Sequence, residues 1–154
     1  SYVMEMKKLV SMADLITPNI TEANLLLGLN PNQFGYNDSD LKNICRDLSK
    51  LGPGLVIITG FLIDGYIYNI SYDAHTDTMV KFGKPYNKMS FSGTGDIFTS
   101  IVAALITRDF DIGDTCQIAT DFIFDAVKYT SSLDGIERND GIMFEEFLGK
   151  LCQL

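Results

Sequence analysis

The segment Gly93-Thr94-Gly95-Asp96 holds the residues best suited to chemistry, and a helical run of apolar residues follows it. Its two glycines allow the backbone to turn sharply and to approach a ligand closely. The unpaired N–H groups at the start of the following helix can bind an anion. Asp96 would lie beside that anion, where its carboxylate can accept the proton of a hydroxyl that attacks phosphorus. The alternative is an ordinary turn in which Asp96 only caps the helix.

A second pair of polar residues, Asn19 and Glu22, follows a short predicted strand at residues 15–17. Glu22 could hold a hydrated Mg²⁺, because this ion prefers one or two carboxylates together with phosphate oxygens and water. Asn19 could orient a phosphate or a metal-bound water. The alternative is helix-start chemistry, since Asn favours turns and Glu is stabilised by the helix dipole.

A third feature is Thr59-Gly60, which closes a predicted strand that is apolar on both faces. Such a strand is typical of a parallel sheet that is covered on both sides. In open α/β sheets, ligands bind beyond the carboxyl ends of the strands. Asn19 and Thr59 both stand at such ends, so we predict that they share one crevice with the glycine-rich helix start.

The periodicity of apolar residues predicts the elements that position these side chains. Helices are predicted over about 3–13, 21–28, 38–51, 95–108, 112–133 and 143–151. Gly28 is expected to end the second helix, and Asp38 or Ser39 to cap the third. Residues 66–72 are rich in aromatic and β-branched types, so we predict a strand that pairs with residues 79–82 across a polar turn.

The alternation of strands and helices indicates the α/β class. Only one or two predicted strands are candidates for parallel pairing, whereas a doubly covered strand needs neighbours on both sides. The first helix also lacks a clear capping residue. We therefore expect residues 1–154 to form a single incomplete domain whose N-terminal strands belong to a missing preceding segment. The alternative is an unusual small domain that is complete in itself.

These features resemble the ribokinase-like superfamily, and its pyridoxal kinase branch in particular. Residues 13–19 with Glu22 contain the superfamily's Asn-x-x-Glu motif. Residues 56–59 resemble the strand whose terminal Thr reaches the ATP phosphates. Residues 93–96 resemble the signature of the anion hole and catalytic base. The match runs in order through most of residues 9–108 and weakens over the C-terminal helices.

The resemblance implies the C-terminal part of a three-layer α/β fold with a mainly parallel central sheet. It also implies ATP-dependent phosphorylation of a primary alcohol on a pyridine ring, with Mg²⁺ and often a monovalent cation such as K⁺. Asp96 would be the catalytic base, with Gly93, Thr94 and Gly95 as the anion hole. The implied ATP contacts are Thr17, Asn19, Thr59, Gly60 and Phe91, and the implied metal ligands are Glu22 and Asn19. For Phe91, ordinary packing is an equal alternative.

Two residues of the Gly93-Thr94-Gly95-Asp96 signature help to distinguish the branches of the superfamily. Sugar kinases of the superfamily usually have Ala where Thr94 stands, and hydroxymethylpyrimidine kinases usually have Cys where Asp96 stands. Both differences favour a pyridoxal-type kinase. Gly60 departs from the family, in which a hydroxyl residue often follows the strand-terminal Thr, so only its backbone could contact a phosphate. The alternatives are another vitamin or sugar kinase of the superfamily and a non-catalytic fragment.

The composition sets the class of molecule. With 46% hydrophobic and 21% charged residues, the chain is expected to be globular. The net charge of −8 argues against a nucleic-acid partner. No apolar run approaches the roughly 20 residues that span a bilayer, and no signal-peptide pattern opens the chain. We therefore expect a cytoplasmic protein, and the resemblance implies that it binds a small-molecule substrate and ATP. The resemblance adds that the intact enzyme is commonly a homodimer, with its vitamin pocket largely in the N-terminal half.

The cysteines and the only histidine have no pattern that indicates catalysis or metal binding. Cys45, Cys116 and Cys152 are widely spaced and odd in number, which favours reduced and mostly buried thiols over a metal site. His75 lies in the predicted hairpin turn without a partner Ser or Cys in a motif. We expect it to be an exposed turn residue.

Overall fold

The computed structural model describes residues 2–154 and divides the chain into two units, the first ending at Gly83 and the second beginning at Lys84. The first unit contains α1 (Tyr2–Val10), β1 (Leu15–Ile16), α2 (Ile20–Leu27), α3 (Asp38–Ser49), β2 (Leu55–Ile63), β3 (Tyr66–Asp73) and β4 (Thr78–Pro85). The last of these strands ends two residues beyond the boundary.

The four strands form one sheet in the order β1-β2-β3-β4. β1 runs parallel to β2, and β2 runs antiparallel to β3. The sheet is therefore mixed, and the predicted α/β class is confirmed. The predicted pairing of residues 66–72 with residues 79–82 is also confirmed, because β3 and β4 are neighbours.

The core of the first unit lies between helices and one face of this sheet. α3 contributes Leu41, Ile44, Cys45 and Leu48, which are spaced to fall on one helix face. Val56 and Ile58 of β2 meet them from the sheet. Three consecutive residues of β2, from Val56 to Ile58, have no exposed surface, as the unbroken apolar pattern predicted.

The start of α3 differs from the prediction. Asn37 caps this helix, in place of Asp38 or Ser39. The Oδ1 of Asn37 accepts the N–H of Asp40 at 2.9 Å, and a carboxylate oxygen of Asp40 accepts the N–H of Asn37 at 3.2 Å. This reciprocal capping box requires an acidic residue three positions after the cap. Asn37 has one, whereas Asp38 is followed there by Leu41 and Ser39 by Lys42.

The second unit is helical. It contains α4 (Thr94–Ile106), α5 (Ile112–Thr130), two 3₁₀ turns (Arg138–Asp140 and Glu145–Phe147) and α6 (Leu148–Leu151). The first two helices confirm the predictions to within three residues at each end. The predicted helix over 143–151 is instead a 3₁₀ turn followed by a single helical turn.

Cys45 and Cys116 are buried, Cys152 is exposed, and all three are free thiols. Burial raises the pKa of both buried thiols to about 12, so they stay protonated and unreactive at neutral pH.

His75 is exposed in the turn between β3 and β4, as predicted. Within the described range, none of the helices has the length and apolar character that crossing a membrane requires.

Gly52 allows the turn between α3 and β2 to approach the end of α1. Its φ is +149°, and a methyl group at this position would lie 2.6 Å from the Cα of Ser11. We expect Gly52→Ala to lower the free energy of unfolding by about 1–3 kcal/mol, measured by urea denaturation. Gly54→Ala is the control, because its methyl group would meet only the His75 side chain, at 3.4 Å. Equal stability of the two variants would contradict this account.

Asp77 joins the hairpin turn to α3. Its carboxylate accepts hydrogen bonds from Nε of Arg46 at 2.8 Å and from the Tyr72 hydroxyl at 2.9 Å, and Nζ of Lys42 lies 3.1 Å away. The Arg46 guanidinium holds the pKa of this carboxyl well below its usual range.

The stability that Asp77 contributes should therefore depend on pH. A depressed pKa in the folded state stabilises the fold above the unfolded pKa of about 3.9, and this contribution is lost as the pH falls towards the folded value. We expect Asp77→Asn to lower the Tm at pH 7, with a difference from wild type that shrinks below about pH 4. Asp47→Asn is the control, because its ion pair with Lys50 is local and exposed. Parallel Tm curves from pH 7 to pH 3 would contradict the expectation.

Candidate functional site

The end of β1 and the middle of β2 bring together two of the predicted site residues, Asn19 and Thr59. The strands are parallel, with Leu15 opposite Leu55, but β1 ends at Ile16 whereas β2 continues to Ile63, so the prediction that Thr59-Gly60 closes its strand is wrong. The N–H of Thr59 donates to the carbonyl of Pro18 at 2.9 Å, and Asn19 forms an isolated parallel bridge with Thr59. Thr17 lies directly after β1 and is half-buried. Three predicted phosphate contacts, Thr17, Asn19 and Thr59, therefore lie close together in this part of the sheet.

Asn19 and Glu22 form the capping box of α2. The Oδ1 of Asn19 accepts the N–H of Glu22, and Oε2 of Glu22 accepts the N–H of Asn19, both at 2.9 Å. This geometry is the helix-start chemistry that the sequence offered as the alternative. It also fixes both side chains at the exposed sheet edge. These two hydrogen bonds use Oε2 of Glu22 and Oδ1 of Asn19. Within residues 2–154, Oε1 of Glu22 and Nδ2 of Asn19 form no hydrogen bond.

The donors at this edge suit only certain metal ions. No group of three or more His, Cys, Asp or Glu side chains is placed to hold a metal ion within the described residues. Among these residues, a metal ion held by three or more such side chains therefore does not fit. Mg²⁺ bound through phosphate oxygens and water needs only one or two carboxylates, and Glu22 beside Asn19 is a donor set of that kind.

Gly60 follows Thr59 in a left-handed conformation, with φ at +69°. Its N–H donates to Oδ1 of Asn69 at 3.0 Å. A contact from this N–H to a phosphate would require that hydrogen bond to break. Sequence reasoning missed Asn69, although an Asn within a run of aromatic and β-branched residues was a signal that could have found it.

The second unit contains the glycine-rich segment, at the start of α4. Gly93 caps the helix with φ at +78° and no side-chain hydrogen bond. Oγ1 of Thr94 donates to the carbonyl of Phe91 at 2.7 Å, and the N–H of Ser92 donates to the carbonyl of Arg138 at 2.9 Å. The loop is therefore held by contacts that leave the first-turn N–H groups of α4 without acceptors among residues 2–154.

Asp96 lies in this first turn and is exposed. Its side chain forms no hydrogen bond or ion pair within the described part of the chain, whereas its backbone carbonyl accepts Oγ of Ser100 at 2.8 Å. An unengaged carboxylate beside unpaired N–H groups can act on a hydroxyl whose oxygen approaches a bound anion.

Phe91 is enclosed in the core of the second unit, with 6% of its surface exposed. It packs with Ala126 and Ile142, and with partly buried residues around them. The structure therefore supports ordinary packing as the role of Phe91.

Asn19 and Thr59 lie in the first unit, and the glycine-rich segment lies in the second. The convergence of these residues on one crevice therefore stays a prediction.

Comparison with known proteins places this chain in a family. The phosphomethylpyrimidine kinase family profile matches residues 1–140. A hydroxymethylpyrimidine/phosphomethylpyrimidine kinase of Aquifex aeolicus is 32% identical over 125 residues, which are 80% of this chain and 47% of the relative. A Bacteroides thetaiotaomicron protein assigned as a phosphomethylpyrimidine kinase and crystallised with pyridoxal is 32% identical with a TM-score of 0.90, covering 97% of this chain and 53% of that protein.

Pyridoxal kinases have the same fold. The crystal structure of the Lactobacillus plantarum enzyme is 26% identical with a TM-score of 0.86, covering 99% of this chain and 54% of that one. The Staphylococcus aureus enzyme in complex with AMP-PCP is 25% identical with a TM-score of 0.70, covering 82% of this chain and 45% of that one. The chain thus spans about half the length of the proteins it matches.

These matches confirm the ribokinase-like fold that the motifs implied. They do not separate the two branches, because relatives named for pyrimidine and for pyridoxal substrates both match. The profile match covers most of the chain and includes the Asn-x-x-Glu and Gly-Thr-Gly-Asp motifs. The chain therefore belongs to the phosphomethylpyrimidine kinase family of ribokinase-like proteins.

Proposed function

We propose that this chain is the ATP-phosphate and catalytic-base part of a kinase that phosphorylates the hydroxymethyl group of a vitamin-type pyridine or pyrimidine. The observation that carries the proposal is Asp96, an exposed carboxylate in the first turn of α4 beside N–H groups without acceptors. The complex of the S. aureus relative with AMP-PCP supports ATP as the phosphoryl donor.

In the proposed reaction, Asp96 accepts the proton of the substrate hydroxyl as its oxygen attacks the γ-phosphorus of ATP. A new O–P bond forms while the bond from phosphorus to the leaving oxygen of ADP breaks. The N–H groups of Gly93, Thr94 and Gly95 stabilise the charge on the transferred phosphoryl group. Because the Thr94–Phe91 hydrogen bond already holds this loop, little reorganisation is needed when the charge develops.

We assign Thr17, Thr59 and Asn19 to the phosphates of ATP. Glu22 and Asn19 would hold Mg²⁺ through their unpartnered atoms, directly or through water. When bound, this ion neutralises phosphate charge and so favours attack by the substrate oxygen. K⁺ is an implication of the family resemblance alone. The backbone of Gly60 is a weaker candidate for an ATP contact, because its N–H is donated to Asn69.

Pyridoxal, pyridoxamine or pyridoxine is the substrate class we favour. The B. thetaiotaomicron relative was crystallised with pyridoxal, and Asp96 and Thr94 match the pyridoxal-type signature. Hydroxymethylpyrimidine is the second candidate, since the family profile and the A. aeolicus relative carry that name. A panel of these alcohols, assayed with the full-length gene product and MgATP, decides between the two candidates through their kcat/KM values.

The intact enzyme is proposed to be longer than residues 1–154 and to be a homodimer. The matched proteins are about twice the length of this chain, and we propose that the further half supplies the vitamin pocket. The isolated chain should then bind nucleotide without turning over the alcohol. Turnover by the isolated chain would show that the chain contains the whole substrate site.

Asp96→Asn should abolish phosphorylation while leaving nucleotide binding intact, because it removes the proton acceptor and preserves size. We expect kcat to fall by roughly 10²–10⁴-fold, with the Kd for MgADP changed less than about threefold. Asp114→Asn is the matched control, since Asp114 lies in the first turn of another helix, α5. A kcat within tenfold of wild type in Asp96→Asn would exclude Asp96 as the base.

Gly93 and Gly95 should respond differently to Ala, although neither would place a methyl group within 4 Å of another atom. Gly93→Ala forces a left-handed conformation on a residue with a side chain and should cost roughly 1–2 kcal/mol. Gly95→Ala lacks that strain and should leave stability unchanged or raise it by at most about 1 kcal/mol. Thermal unfolding measures both effects.

The Gly95→Ala variant also tests the anion hole. If phosphate approaches the start of α4 closely, a methyl group there should weaken MgATP binding at least tenfold in a protein that is no less stable. Calorimetric titration with MgATP gives this value. Unchanged affinity would show that the phosphates do not approach residue 95.

A further inference from the structure

Strand β2 contains a β-bulge at the point where it leaves the candidate site. Ile58 pairs with Ile70 of β3, and the next pair is Phe61 with Tyr68. Thr59 and Gly60 therefore lie opposite Asn69 alone. Two residues opposite one residue of the neighbouring strand define a bulge, which bends the strand and changes the direction of its side chains.

The bulge determines which side chains of β2 enter the core. Val56, Ile58 and Phe61 all belong to the core of the first unit, although the last two are three residues apart. In a regular strand, Phe61 would share a face with Ile57 and not with Ile58. Phe61 is only 3% exposed, and its ring centroid lies 6.5 Å from that of Tyr36. The packing of Phe61 in the core thus depends on the extra residue that the bulge inserts into β2.

The backbone at the bulge is held from both neighbouring strands. On the β1 side, the N–H of Thr59 donates to the carbonyl of Pro18 at 2.9 Å. On the β3 side, the N–H of Gly60 donates to the side chain of Asn69 at 3.0 Å. A bulge interrupts the regular ladder and leaves a backbone group to be paired otherwise. The side-chain oxygen of Asn69 supplies that acceptor.

We propose that Asn69 is a positioning residue for the phosphate-binding edge: by holding Gly60 in the bulge, it fixes Thr59, and with it the Thr59–Asn19 bridge, for binding ATP. This inference rests on the proposed function, because it assigns Asn69 to the same ATP site. Asn69 acts through the backbone and need not touch the nucleotide. The signature motifs of the sequence contain no residue with this role.

The first test is the hydrogen exchange of the Gly60 amide, measured by NMR on the wild type, Asn69→Ala and Asn69→Asp. Removing the acceptor in Asn69→Ala should raise the exchange rate at Gly60 at least tenfold, whereas the carboxylate of Asn69→Asp should keep the protection. Ser71→Ala is the control, because Ser71 is the next residue on the same face of β3 and pairs with Ile57. Unchanged exchange at Gly60 in Asn69→Ala would overturn the proposal.

The second test is steady-state kinetics of the full-length gene product. A displaced Thr59 should raise the KM for ATP by roughly tenfold or more, while the KM for the alcohol stays within twofold. A purely structural role would instead reduce the active fraction, lowering kcat with both KM values unchanged, and that result would overturn the proposal. Ser71→Ala should leave the KM for ATP at the wild-type value.

The two proposals fail in different ways. Wild-type protein that neither binds MgATP nor phosphorylates any alcohol of the panel would overturn the proposed function, and the ATP role of Asn69 with it. Wild-type activity combined with a normal KM for ATP in Asn69→Ala would overturn only the role of Asn69.

Discussion

The hydrogen bond from the N–H of Thr59 to the carbonyl of Pro18 joins the middle of β2 to the segment that follows β1, and the geometry of this part of the sheet depends on it. It holds Thr59 beside Asn19, at the residue where α2 begins. Since Asn19 also exchanges hydrogen bonds with Glu22, Thr59 of β2 and the start of α2 are connected through Asn19. Polar side chains at this edge are therefore positioned by backbone contacts, which are less variable than contacts between long side chains.

Backbone N–H groups have two different roles in this chain. At α2 and α3 they are satisfied by capping boxes, which close the helix start with side-chain oxygens. At α4 the cap is a glycine without a side chain, and the first-turn N–H groups stay unpaired within the described residues. An unsatisfied helix start is tolerated where water or a ligand can reach it. The difference between these helices therefore separates a structural start from one suited to anion binding.

The family relationship and the physical description complement each other. The profile match and the crystal structures establish the family and the ribokinase-like fold, but relatives of both substrate names match this chain. The local geometry describes what the motifs position in this chain: Asn19 and Glu22 at the start of α2, and Asp96 in the first turn of α4. Under the proposed function, substrate choice would depend on contacts with the ring, which we assign to the further half of the intact enzyme.

The sequence alone determined the α/β class, most helices and strands, and the placement of Asn19 just after β1, because these follow from local periodicity and turn chemistry. The tertiary structure decided what depends on partners distant in sequence. It extended β2 past the bulge, made Asn69 the acceptor for Gly60, and enclosed Phe91 in a core. It also replaced the predicted last helix with a 3₁₀ turn and one helical turn. Hydrogen bonding across strands and packing between helices are non-local, so no pattern within a single segment specifies them.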